Sequence, residues 1–275
     1  MTERAPFRVL SWGCGLQSTT LAAMSALGEL EPLDLIVHAD TGWERQVTYD
    51  IRDWYTDWLR DKGILVRIVR AGNIRLDGLK AHMHVPMWTE SGAPLRRQCT
   101  KQFKIRPIRH LIREALGYHR SRPPAPPPGA IELWLGITID EWTRAKPSPV
   151  QFITHRFPLL GIPMARGDCT DWLVAHGLPV PPKSACVCCP YRRASEWIDI
   201  RDNAPDEWKA AVAFDRANRY NPLFAREGST ADVIYLWRES IPLAKADLES
   251  RADRERRRYN MQLPMFACES GYCGV

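Results

Sequence analysis

Ser11-Trp12-Gly13-Cys14-Gly15-Leu16-Gln17-Ser18-Thr19-Thr20 is the stretch on which the reading of this chain turns. Phe7-Arg8-Val9-Leu10, just before it, reads as the end of a buried strand. Leu21, Met24 and Leu27, just after it, recur at helical spacing until Gly28 stops the run. The stretch is therefore a small, hydroxyl-rich turn between a strand and a helix. Gly13 and Gly15 let a ligand approach the backbone and allow positive φ. Ser11, Ser18, Thr19 and Thr20 add hydroxyl donors. The first N–H groups of the helix lack intrahelical partners, and the helix dipole favours an anion there. These features predict a phosphate or pyrophosphate cradle. The Gly-Lys-Ser/Thr ending of the Walker loop is missing, and Gly-x-Gly-x-x-Gly is not completed.

Outward from the loop, residues 33–39 read as a buried strand ending in Asp40-Thr41-Gly42-Trp43-Glu44. Val47, Ile51, Trp54, Tyr55 and Trp58 then follow at helical spacing up to Gly63, and residues 64–69 read as a third strand. Strand, helix, strand, helix, strand predicts a doubly wound, mainly parallel α/β sheet with helices on both faces. Ligands of such sheets sit at the carboxyl ends of the strands, where both the loop and Asp40-Thr41-Gly42 fall. Residues 72–94 are poorly patterned and read as a lid over the site.

Residues 96–122 hold nine Lys or Arg and one acid, Glu114. Within them Pro107 is expected to open a helix with Ile108, Leu111, Ile112, Ala115 and Leu116 on its apolar face. Residues 122–129 form a stiff polyproline connector. A strand over residues 131–135 then runs into Gly136-Ile137-Thr138. Asp168 reads as the N-cap of a helix over residues 169–176, closed by Gly177. The expected organisation is an α/β nucleotide-binding domain over residues 1–165 and a mostly helical, cysteine-containing region over residues 166–275.

The chain has 275 residues and a net charge of +6, which suits an anionic partner without identifying one. It has no long apolar run and no signal-peptide core, so the expectation is a cytoplasmic protein without a membrane partner. Eight cysteines in such a chain point to metal binding or catalysis more than to disulfides. Cys186 and Cys189 have Cys-x-x-Cys spacing, which lets two thiolates reach one metal centre from a tight turn. Two metal readings stand open. With Cys99 the pair could hold an iron–sulfur cluster, and with Cys268 and Cys273 a structural zinc.

The loop resembles the PP-loop of the adenine nucleotide α-hydrolase superfamily, with Gln17 where many members carry Asp, as in the phosphoadenylyl-sulfate (PAPS) reductase-like branch. Asp40-Thr41-Gly42 at the end of the second strand is similar to that branch too. Cys99, Lys104 and Pro107 fall on its Cys-(Cys)-x-x-Arg-Lys-x-x-Pro pattern, with Thr100 for the second Cys and Phe103 for the Arg. Gly136-Ile137 and the Cys186/Cys189 pair also match. The resemblance implies an enzyme that binds an adenine nucleotide at Ser11, Gly13, Gly15, Leu16, Gln17, Ser18, Asp40, Thr41 and Gly136. The nine cations against one acid in residues 96–122 exceed what solubility requires, so Arg96, Arg97, Lys101 and Lys104 are expected to face that cleft or an anionic acceptor. The resemblance also implies a [4Fe–4S] cluster on Cys99, Cys186 and Cys189. The fourth position is left open or filled by Cys188, Cys268 or Cys273.

The activity expected from this resemblance is Mg²⁺-assisted cleavage of ATP between the α and β phosphates. That step would be coupled to sulfur transfer onto a nucleic acid, with a sulfur-donor protein as a further partner. Two alternatives stand beside it: a PAPS or adenylyl-sulfate reductase, and a non-catalytic nucleotide- or nucleic-acid-binding module with zinc. The family's reductases carry a catalytic Cys in a Glu-Cys-Gly-(Leu/Ile)-His tail, of which Tyr272-Cys273-Gly274-Val275 keeps only Cys-Gly.

Overall fold

Strands rich in Val, Ile and Leu alternate with helices from the start of the chain, and a sheet of such strands must be covered on both faces. The computed structural model describes residues 6–78, 85–220 and 233–261. In order come β1 (Phe7–Ser11), α1 (Leu16–Ala26), β2 (Leu35–Asp40), α2 (Gln46–Asp61), β3 (Val66–Arg70) and the short α3 (Ile74–Asp77). Then come β4 (Trp88–Thr89), a π-helical turn (Thr100–Ile105) continuous with α4 (Arg106–Ala115), β5 (Ile131–Trp134) and β6 (Ile153–Arg156). The chain continues through α5 (Pro158–Gly161), α6 (Arg166–Ala175), α7 (Ala194–Asn203), α8 (Pro205–Asn218), β7 (Ile234–Tyr235) and α9 (Leu248–Met261).

Five parallel strands form one sheet in the order β3-β2-β1-β5-β6. The chain winds outward from β1 through β2 to β3, then returns to β5 on the other side of β1. The strand order therefore reverses beside β1, where such sheets open a crevice at their carboxyl edge. One face packs Leu10, Leu21, Met24, Tyr55, Leu59 and Leu173, from β1, α1, α2 and α6. The other packs Val9, Val37, Leu133 and Ile153 against Ile108 and Ile112 of α4. A separate core unites Val85, Met87 and Phe103 with Trp197, Phe214, Trp237 and Leu248 of the helical C-terminal part. The α/β architecture with a mostly helical C-terminal part is as expected.

Several local expectations are corrected. The inward face of α2 is Thr48, Tyr55, Thr56 and Leu59, while Val47 and Trp54 are exposed. Burial follows where the sheet lies, and this helix presents threonines to it. Asp168 sits one turn inside α6, where its carboxylate accepts the Ala165 N–H at 2.7 Å, so it is not the N-cap. Helical structure begins at Thr100, ahead of Pro107, because the π-helical turn feeds directly into α4. Ala115 is exposed. Strand β6 completes the sheet at an edge that the pattern did not announce. The described part of the expected lid is not one. Val85 and Met87 are core residues, and β4 pairs with β7. Residues 79–84 of that stretch lie outside the described residues. No described helix is long and apolar enough to cross a membrane.

Candidate functional site

The loop between β1 and α1 stands at the carboxyl edge beside the strand-order reversal. Gly15 is the N-cap of α1 and supplies no side-chain cap, so the first N–H groups of the helix are left for a ligand. Neither Gly13 nor Gly15 has positive φ. The left-handed residue is Cys14 between them, at φ 54°. Only glycine adopts this region without cost. The surroundings hold Cys14 there: it is fully buried, and its Sγ lies 3.2 Å from His38 Nδ1, which also lies 3.0 Å from the Trp12 carbonyl. Burial pushes the Cys14 thiol up, as expected of a packing residue and not of a nucleophile. Gly13 N–H donates to Ser18 Oγ at 3.2 Å, and Trp12 Nε1–H donates to Thr19 Oγ1 at 3.0 Å.

The cleft above this loop is lined by Ser11, Gly13, Gly15, Gln17, Ser18 and Gly136 of the expected set. Leu16 is buried beneath it. Gly136 must be glycine for a steric reason: a Cβ there would meet the Ser18 backbone nitrogen at 2.7 Å. The facing wall is Thr100, Lys104, Ile105, Ile108 and Arg109, from the π-helical turn and α4. Arg109, Glu141, Arg144 and His155 also line the cleft; Glu141 lies in the turn after Gly136, and sequence reasoning missed the other three. Arg109 and His155 come from elements far apart in the chain, so only the fold brings them together. Glu141, in the short helical turn after Gly136, is ion-paired with Arg144. Arg109 has no hydrogen-bond or ion-pair partner among the described residues, and burial lowers its pKa.

Asp40 does not line this cleft. It accepts the Gly42 N–H at 2.7 Å and the Tyr49 hydroxyl at 3.1 Å, and is ion-paired with Arg70. Burial opposes its charge, but the bonds from Arg70, Gly42 and Tyr49 outweigh it and hold the carboxyl below its ordinary value. Thr41, next along, points to a second pocket.

That second pocket is lined by Cys99, Cys186, Cys188 and Cys189 together with Thr41, Arg97 and Lys104. Several distant segments build it, those of Ile74 and of Val85 and Pro86 among them. The Glu44 backbone bridges to Cys186, and Val187 N–H donates to the Trp43 carbonyl at 3.0 Å. Cys189 N–H closes a tight turn onto the Cys186 carbonyl at 3.0 Å. The buried Arg192 reaches back to the Ala185 and Cys186 carbonyls at 2.7 and 2.8 Å. Arg192 was not anticipated, since one arginine after a cysteine turn carries no sequence signal of its own. Thr41 Oγ1 is 3.1 Å from Cys186 Sγ and donates to Glu44 Oε1 at 3.0 Å. Lys104 Nζ is 3.7 Å from the same carboxylate oxygen. Burial is the main force raising the thiols of Cys186, Cys188 and Cys189.

Thr100 and Lys104 line both pockets, so the loop cleft and the cysteine pocket share a wall. Of the basic residues singled out, Lys104 faces both pockets and Arg97 faces the cysteines, its guanidinium 5.3 Å over the Tyr191 ring. Arg96 and Lys101 are exposed and line neither. Among the described residues, no three Cys, His, Asp or Glu side chains converge closely enough to hold a single metal ion. Cys268 and Cys273 lie outside the described residues.

No protein-family model and no curated protein matches this chain. Among solved structures, the chain is similar to a crystal structure of PAPS reductase from Candida auris in complex with phosphate. The likeness covers 65% of this chain and 76% of that one, at 12% identity and a TM-score of 0.45.

Proposed function

We propose that this chain is a PP-loop enzyme that activates an acceptor with ATP and replaces the activated oxygen by sulfur. One observation carries the reading: the cleft above the phosphate-type loop and the pocket of four cysteines share Thr100 and Lys104 as a common wall. A nucleotide and a sulfur centre on either side of one ammonium group are what such chemistry requires.

The first N–H groups of α1, with Gln17 and Ser18, would hold the β and γ phosphates. An acceptor carbonyl oxygen attacks the α-phosphorus, the α–β bond breaks, and pyrophosphate leaves. A hydrosulfide nucleophile then attacks the activated carbon, its proton is lost to solvent, and AMP departs with the oxygen. No electrons are gained or lost. Lys104 and Arg109 would offset the charge on the α-phosphate. Glu141 is the one described carboxylate in the cleft and is already paired with Arg144, so Mg²⁺ would ride on the phosphates and water.

The cysteine pocket suits a multi-metal group. Four cysteines line it, and Lys104 and Arg97 beside them would offset the charge of thiolates. A [4Fe–4S] cluster on Cys99, Cys186 and Cys189 would supply an iron at which sulfide can bind. Anaerobic reconstitution followed by iron and sulfide analysis tests the group. About four irons per chain are expected, falling at least fivefold in Cys186→Ser, as required for ligands of one such cluster. Pyrophosphate release from ATP with candidate nucleic acids tests the reaction. Zinc in place of iron, or sulfite released from PAPS with no use of ATP, would overturn the proposal.

A further inference from the structure

Helix α4 has a second face. Ile105, Ile108 and Arg109 look into the loop cleft, while Arg106, His110 and Glu114, one turn apart from each other, look the opposite way. They border a separate cleft of about 850 Å³ whose far wall is Val69, Arg70 and Ala71 at the end of β3. Arg120 closes one end of it.

The charges of this cleft are unequal in a specific way. Arg70 is ion-paired with Asp40. Arg106 and Arg120 have no ion-pair or hydrogen-bond partner among the described residues. Two acids, Asp77 and Glu114, line the cleft, and Asp77 is already accepting the Asn73 N–H at 2.8 Å. Arg120 is held in place by its loop. The buried Arg113 donates to the carbonyls of His119, Arg122 and Pro124 at 2.8, 2.7 and 2.9 Å. His119 Nδ1 accepts the N–H groups of Ser121 and Arg122. A cation that served only solubility would need no such scaffold. Burial first, and then Arg106 and Arg120, lower the pKa of His110, so the field here already disfavours another positive charge. An incoming anion would relieve that field.

We infer that this cleft seats the phosphodiester backbone of a single-stranded nucleic acid, gripped by Arg106 and Arg120. A recess between one helix and one strand end suits a single strand, whose sites are positively charged grooves that track the backbone. The inference rests on the reading of a nucleic acid as sulfur acceptor. It adds where the strand lies: along the outer face of the helix whose inner face lines the nucleotide cleft.

The test is fluorescence anisotropy of the full chain with a labelled 20-nucleotide single strand, as DNA and as RNA, without nucleotide, across a salt series. Arg106→Ala/Arg120→Ala should weaken binding at least tenfold. It should also reduce the slope of log affinity against log salt by about 1.4, since each single-strand phosphate contact contributes about 0.7. ATP affinity should be unchanged, which shows that the variant is folded. Arg60→Ala/Lys62→Ala, at the exposed C-terminal end of α2, removes the same charge elsewhere and should bind as the parent does. Equal strand binding by the parent and the Arg106/Arg120 variant, no strand binding by the parent, or full competition by polyglutamate would each overturn the inference. The two readings fail separately. If the strand binds through Arg106 and Arg120 but does not stimulate pyrophosphate release, the acceptor reading fails and the cleft stands. If release is stimulated equally in parent and variant, the cleft assignment fails and the acceptor reading stands.

Discussion

The loop cleft and the cysteine pocket share a wall but are built in opposite ways. The floor of the cleft comes from one stretch, Ser11 to Ser18, which offers backbone N–H groups and hydroxyls. The cysteine pocket is assembled from residues near positions 41, 74, 85–86, 97–104 and 184–191, and offers side chains. The first depends on backbone conformation and on small residues that keep space open. The second depends on a few buried polar anchors that keep separate segments in register. Each should therefore be breakable without the other.

The largest effect is expected at Arg192. Its two hydrogen bonds to the Ala185 and Cys186 carbonyls fix the cysteine turn from below. Arg192→Met should cost about 2–4 kcal/mol, as buried charged hydrogen bonds of this kind typically do, and should abolish iron loading. ATP affinity measured calorimetrically on the folded fraction should move less than twofold. If nucleotide binding is lost along with iron, the two sites are not separable in the way described.

Gly136→Ala is the mirror experiment and the next in size. The new Cβ would press on the Gln17–Ser18 backbone, and overpacking of this kind costs about 1–3 kcal/mol. Nucleotide affinity should fall by more than tenfold while reconstituted iron stays at the parent level. Unchanged affinity would mean that the loop cleft is not where the nucleotide binds.

Cys14 sharpens the point about backbone. Because φ is 54° there, Cys14→Gly should leave stability within about 1 kcal/mol of the parent, relief of the left-handed conformation offsetting the lost packing. Cys14→Val should cost about 2 kcal/mol or more, since a β-branched side chain fits this region worst. Chemical denaturation of both variants decides it, and equal loss in both would locate the role of Cys14 in its thiol.

The smallest effect is that of pH. His38 lies under the loop, and burial lowers its pKa; among the described residues no histidine lines the cysteine pocket. A histidine whose pKa is lower folded than unfolded takes up its proton more readily in the unfolded chain. Stability should then fall as pH drops below about 6.5, by at most about 1.4 kcal/mol per unit for one site. Urea midpoints at pH 7.5 and 5.5 measure it, and His38→Gln should flatten the dependence. An equally steep dependence in that variant would move the effect to other groups, such as His155, whose pKa burial also lowers.

The same contrast explains what could be read from the sequence. The strand–turn–helix of residues 7–27 announces itself because every signal it carries is local: apolar spacing, small residues, a terminating glycine. The facing wall of the cleft did not, because Arg109 of α4 and His155 of β6 meet only once the helix lies across the assembled sheet. The thiol spacing of Cys186 and Cys189 was legible, but their anchor Arg192 was not, since its partners are carbonyls that any sequence possesses. The glycines of the loop permit positive φ, but it is Cys14 that takes that conformation, held by a histidine 24 positions away. Threonines on the inner face of α2 misled the helical pattern for a similar reason: what a face packs against is a property of the sheet and not of the helix.

Lys104 has a consequence of another kind. Its ammonium stands 3.7 Å from Glu44 on the cysteine side and lines the loop cleft on the other. An anion seated on the loop would share that one charge with Glu44, a coupling expected to stay within the twofold limit set above for Arg192→Met. The dependence is thermodynamic and runs both ways: whatever factor an occupant of one pocket imposes on affinity at the other must be returned in full. If a nucleotide binds there as proposed, a single shared cation would link the two pockets, and the state of the thiols would be read as a small change in nucleotide affinity.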